Sequence, residues 1–217
     1  MLLLLLAVAS QAQTVIRAAR VFDGESMREG WAVRIEGDRI TAAGPSASVS
    51  TAQARIIDLG GVTLMPGLVE GHSHILLHPY NETPWNDQVL KEGVALRAAR
   101  AVNHLRSTLM AGFTTMRDLG TEGAGYADVE LQQALREGIA IGPRTLVATR
   151  AIVATGAYAP KGYALEFRVP QGAEEADGTD GLIRTVRDQI GHGAEWIKMY
   201  GDYRWGPHRG AYPTFSQ

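Results

Sequence analysis

From Pro66 onward, short β-branched runs alternate with stretches of helical period, and that order leaves few folds open. "GLVEGHSHILL" reads as a strand. A long helix is predicted from about Gln88 to Ala111, where Leu90, Val94, Leu96, Ala98, Ala101, Val102 and Leu105 recur at mostly three- and four-residue steps. Gly112 stops it, and "FTTMRDLG" is the next strand. A helix over 127–136 ends at Gly138, and "RTLVATRAIV" is the third strand. Thr179 or Asp180 caps a helix through Ile190, and "AEWIKMYG" is the fourth strand. Such alternation demands parallel strands with crossover helices, because a tight hairpin joins only antiparallel neighbours. Doubly wound sheets and (β/α)8 barrels both open this way, and only half a barrel fits before Gln217. Thr214 and Ser216 then stand where the N-cap of a further helix belongs. The expectation is a fragment of a longer protein.

Before Pro66 the rhythm is different. "TVIRAARVFDG" alternates and ends at Asp23-Gly24, and "WAVRIEGDRITAAGP" reads as a hairpin around Gly37-Asp38. "ARIIDLGG" is a further strand. Residues 13–65 are therefore expected to form a small β-sandwich module, with 66–217 as the first four βα units of the barrel. Residues 1–12 are apolar from Leu2 to Ala9 and close on a small-x-small pattern. They resemble a secretory signal peptide, although no Lys or Arg follows Met1, and the expected location is periplasmic or secreted. The run is too short to anchor stably in a bilayer. Basic residues are scattered and the net charge is -2, so no nucleic-acid surface is expected. There are no cysteines, so any metal must be held by nitrogen and oxygen.

Candidate chemistry gathers at two strand ends. His72 and His74 project from one face of the first strand, about 7 Å apart along it, at the end where barrel active sites assemble. An H-x-H pair alone is equally readable as two polar residues closing a strand. Trp196, Lys198 and Tyr200 share one face of the fourth strand. A lysine there is costly unless it snorkels, pairs with Glu70, or loses its charge by adding carbon dioxide to become an anionic carbamate. Tyr203 and Arg204 follow on a loop expected to overhang the site, where Arg204 suits a bidentate clamp on a carboxylate. His78, in the loop after the first strand, is a further substrate-contact candidate. His104 and His192 fall on a helix and a helix end, His208 in a Gly-Pro loop, and Ser73 on the opposite face with no base in view. "TGAYAPKG" lacks the spacing of a phosphate loop.

Taken together, "GDRITAAG", "RIIDLGG", "LMPGLVEGHSH", "GFTTMRDLG", "GPRTLVATRAI" and "GAEWIKMYG", in this order, closely resemble the amidohydrolase superfamily of metal-dependent (β/α)8 hydrolases. The similarity is strongest to its imidazolonepropionase-like and Xaa-Pro-dipeptidase-like branch. The resemblance implies that His72 and His74 bind one metal and that Lys198 is a carboxylated bridge to a second. Two divalent ions, expected to be zinc, would activate water against an amide, cyclic amide or dipeptide-like C–N bond. It further implies two more histidines and a general-base aspartate beyond Gln217, so that the chain alone is expected to be inactive. Glu70 stands where the family usually carries Asp. Two other readings compete: a phosphotriesterase-like hydrolase on the same fold, and an exported binding protein without catalysis. An oligomer is compatible with all of them.

Overall fold

The computed structural model describes residues 13–164, 166–203 and 210–215, so residues 1–12, where a signal peptide is expected, Arg204 and His208 lie outside the described residues. The chain divides into two units, the first ending at Pro66 and the second starting at Gly67.

The first unit is all strand: β1 (Gln13–Arg17), β2 (Arg20–Phe22), β3 (Met27–Glu29), β4 (Trp31–Glu36), β5 (Arg39–Pro45), β6 (Arg55–Asp58) and β7 (Thr63–Leu64). One sheet runs β5-β4-β1-β6 and another β3-β2-β7. Gly37 turns the β4–β5 hairpin at φ 61°, a conformation a side chain resists. Val15, Ala32 and Val49 form its small core.

The second unit begins with β8 (Leu68–Ser73), α1 (Trp85–Lys91), α2 (Val94–Met110), β9 (Phe113–Asp118), α3 (Ala127–Arg136) and β10 (Arg144–Val147). It continues through β11 (Ile152–Val153), β12 (Glu174–Glu175), α4 (Gly178–Gly191), β13 (Asp202–Tyr203) and β14 (Tyr212–Pro213). β8, β9 and β10 form a parallel sheet in the order β10-β9-β8. Ile75, Leu76, Ala101, Leu105, Met116, Ala124 and Leu131 pack the helices against it. Among the described residues, no helix is long and apolar enough to cross a membrane.

Three expected elements are corrected. The single helix over 88–111 is two helices, broken where Glu92 (φ -101°, ψ 117°) and Gly93 (φ -67°, ψ 152°) are extended. The break has a cause: the Glu92 carboxylate turns aside to hold Arg100 at 2.6 Å and His78 at 3.2 Å. The third strand bends between β10 and β11, where Thr149 adopts φ 57° and its amide donates to Asp128. The fourth strand is reduced to a single parallel bridge, Met199 with Ile152, where the Ile152 amide donates to the Lys198 carbonyl and the Tyr200 amide to the Ile152 carbonyl. At the start of α4 the N-cap is Asp177 rather than Thr179 or Asp180, and its carboxylate accepts from Thr155 instead of capping the helix.

Asp128 is fully buried in the first turn of α3 and accepts the Thr149 and Val129 amides. Burial nevertheless lifts its pKa from 3.8 to about 6. The folded state therefore holds this proton more tightly than the unfolded chain. The associated stability is complete below pH ~4 and is lost as the pH rises through ~6. Relative to Asp128→Asn, the unfolding free energy of the protein should fall between pH 4 and pH 7 by up to about 3 kcal/mol. Urea titrations of both proteins at the two pH values measure this, and parallel pH profiles would contradict it.

Candidate metal centre

β8 sets the stage because its last residues alternate across the sheet and then leave it. His72 lies within the strand; Ser73 is its final residue, and His74 begins the turn beneath which Ile75, Leu76 and Leu77 are buried. The turn is fixed from β9: Asp118 accepts the Ile75 amide, and the Leu119 amide donates to the Ser73 carbonyl. The two imidazole rings end up 5.4 Å apart, inclined at 59°. His74 Nδ1 lies 2.9 Å from the carbonyl oxygen of Gly120. A carbonyl only accepts, so Nδ1 carries the proton and Nε2 keeps its lone pair.

His72 is held neutral by its surroundings. Burial lowers its pKa most, followed by the positive charge of Lys198, then by His74 and Arg117. A neutral imidazole is the ligating form. Glu70 does not counter the lysine: its carboxylate folds back to accept the His72 amide at 2.8 Å. Lys198 instead places its amine 4.9 Å from the ring centre of Tyr200, and among the described residues it forms no ion pair. Its neighbour on the same face, Trp196, is covered by the guanidinium of Arg117 at 4.6 Å, and Arg117 also donates to the Gly71 carbonyl. Thus His72 lies among the positive charges of Lys198 and Arg117, with Glu70 acting in the opposite direction more weakly than either. An open cleft of about 540 Å³ reaches Glu70, His72 and His74 from the α2 side. Among the described residues, no three His, Asp or Glu side chains converge as a metal-holding set. The imidazole pair therefore needs Lys198, or donors outside those residues, to complete a coordination sphere.

The other candidates separate. Tyr203 joins an aromatic cluster over Val153, Ala154 and Ala157, 4.9 Å from the Tyr158 ring, which stacks on Tyr200 at 5.1 Å. His78, expected to meet substrate, instead has its ring nitrogens beside Glu82 (3.3 Å) and Glu92 (3.2 Å). It pins the loop after β8. His104 faces the Ile75 carbonyl from α2, and His192 stacks flat on Tyr126 at 4.2 Å. Three residues near the pair were not singled out from sequence: Arg117, Tyr158 and Glu122. For Glu122 a signal existed, since "LGTEGAG" sets an acidic residue among closely spaced glycines.

With this geometry in view, the decisive comparison is with protein families: the amidohydrolase family profile matches residues 63–216. The chain belongs to the amidohydrolase family. Among solved structures, this amidohydrolase chain is similar to a prolidase complexed with N-methylphosphonate-L-proline, at 30% identity and TM-score 0.75, covering 94% of this chain and 51% of that one. It is also similar to a Xaa-Pro dipeptidase with methionine bound in its active site, at 27% identity and TM-score 0.72, covering 87% and 47%. An allantoinase of Streptomyces avermitilis is 35% identical over 112 residues, which are 51% of this chain and 21% of the allantoinase. The mixed α/β architecture is that of these neighbours, and the chain spans about half the length of the two solved structures.

Proposed function

We propose that the chain supplies the first half of a (β/α)8 barrel, with a small β-sandwich module ahead of it, that hydrolyses a C–N bond in a small peptide-like substrate. A dipeptide of the Xaa-Pro type is the leading candidate, on the strength of the prolidase and dipeptidase likenesses. The observation that carries the reading is the state of the histidine pair. Two imidazoles 5.4 Å apart at the end of a parallel strand are set for ligation, His74 through its tautomer and His72 through its depressed pKa.

In this reading His72 and His74 would hold one divalent ion, and Lys198, as a carbamate, would help hold a second. Zinc fits a nitrogen and oxygen donor set. Bound there, such ions would supply water acidified from a pKa of about 15.7 to about 7 and a Lewis acid for the scissile carbonyl. Among the chain's own residues, Trp196, two positions before Lys198, is covered by Arg117, and Tyr203 is proposed to contact the substrate together with Arg204, its neighbour in sequence. The remaining ligands and the proton shuttle are proposed to lie outside this half, which alone would be inactive.

The test is made on the complete protein. Elemental analysis should find close to two divalent ions per chain. Chelation should abolish hydrolysis of a panel of Xaa-Pro dipeptides, and zinc should restore it. A metal-free protein that cleaves the panel equally well would sink the proposal. Cleavage of phosphotriesters but not of dipeptides would shift it to the phosphotriesterase-like reading.

A further inference from the structure

The buried carboxylate of Glu122 stands 3.7 Å from Nδ1 of His74, and the metal-centre reading above gives it no task. Its exposure is 2% and its backbone is left-handed at φ 51°, an uncommon posture for a residue with a side chain. The posture is enforced. Arg97 donates to the carbonyls of Thr121 and Glu122 from below, and the Thr121 amide donates to the Thr149 carbonyl. On the carboxylate itself, Oε2 accepts from both Trp85 Nε1 at 2.8 Å and Tyr158 Oη at 2.6 Å. These two donors fix its rotation, and Oε1 is the atom left facing His74.

We infer that Glu122 is a positioning residue for His74, an inference that rests on the metal-centre reading. The direct acceptor of the Nδ1 proton is the Gly120 carbonyl at 2.9 Å, and the carboxylate flanks that bond. A tautomer with its lone pair on Nδ1 would aim that pair at a carbonyl oxygen and an anion together. Both repel it, in surroundings where little water screens the charges. The arrangement therefore commits the proton to Nδ1, holds the ring plane, and turns the Nε2 lone pair outward. It is the carboxylate–histidine device that orients metal ligands elsewhere, built here from an unusual loop posture.

Glu122→Gln separates this role from simple packing. The amide oxygen can still accept from Trp85 and Tyr158, so the fold is kept. The amide nitrogen then replaces Oε1 opposite Nδ1–H, donor against donor. In the complete protein, zinc affinity measured by chelator competition should fall by about 10–100-fold, while Tm stays within about 4 °C of wild type. Glu122→Ala should be no worse for zinc than the Gln variant, although it loses more stability. If Glu122→Gln binds zinc as tightly as wild type, the inference is overturned and the metal centre stands. If wild type itself takes up no stoichiometric zinc, both fall. Should Glu122→Gln fail to fold, Tyr158→Phe keeps the carboxylate and removes one of its two anchors. It should weaken zinc binding several-fold, and unchanged affinity there overturns the inference as well.

Discussion

Lys198→Ala in the complete protein should lose at least one metal ion per chain and slow C–N hydrolysis on the order of 10³-fold or more, about 4 kcal/mol of transition-state stabilisation. The reasoning is electrostatic. His72 lies among Lys198, His74 and Arg117, each of which lowers its pKa, and the carboxylate on β8, Glu70, opposes them more weakly while accepting the His72 amide. Divalent ions placed there need an anion close at hand. A carbamate on Lys198 supplies one and removes a repelling ammonium in the same step. Alanine supplies neither. Short carboxylic acids added to the variant should restore part of the activity by standing in for the bridge. Metal content by elemental analysis and turnover of a Xaa-Pro dipeptide are the two readouts. Full metal content with near-normal turnover would return His72 and His74 to being a polar pair at a strand end.

What the sequence revealed was mostly pattern with a strong local cause. The hairpin at Gly37, the helix over 127–136 and the strands that became β8 and β9 follow from turn glycines and from period, and they recur in the structure. The errors fall where a side chain overrides the local pattern. The apolar steps from Leu90 to Leu105 continue smoothly across Glu92, but that carboxylate prefers Arg100 and His78, and the helix breaks for it. "RTLVATRAIV" reads as one strand, yet a buried Asp128 captures the Thr149 amide and bends the run. The three pairs, Glu92 with Arg100, Glu92 with His78 and Asp128 with Thr149, are separated by 8, 14 and 21 residues, so no local rule exposes them.

The candidate site divides in the same way. His72, His74 and Lys198 are proposed from alternation along a strand, which is a local pattern. Their surroundings follow from no such pattern. Glu122 reaches His74 across 48 positions of sequence only because the loop after β9 holds an acidic residue at positive φ. Arg117 reaches Trp196 because the β9 strand and the segment before Lys198 face each other. His78 likewise has surroundings that no local pattern gives: its two ring nitrogens lie beside Glu82 and Glu92.

Arg97→Met should be the most destabilising single change in the second unit. Its guanidinium, 2% exposed on α2, donates to three backbone carbonyls, Leu76, Thr121 and Glu122, each at 2.9 Å. Those carbonyls belong to the loops after β8 and β9, so one planar fork ties the two strand ends together. Burial lowers the pKa of Arg97, the mark of a cation held at a desolvation cost, with the nearby Glu122 acting in the opposite direction. Removing the side chain leaves the Leu76 and Glu122 carbonyls without this donor and Thr121 with the Ala124 amide alone, and a loss of about 3–5 kcal/mol is expected. At roughly 2–4 °C per kcal/mol, that lowers Tm by about 10 °C or more. Arg97→Lys should recover little, because an ammonium on a flexible stem cannot reproduce a fixed three-way fork. The exposed Arg106 on the same helix is the control, and Arg106→Met should change stability by no more than about 0.5 kcal/mol. Calorimetry on the three variants decides the matter. If Arg97→Met melts with Arg106→Met, the fork does not hold the loops, and the posture of Glu122 must be maintained by the Thr121–Thr149 hydrogen bond and the flanking glycines instead.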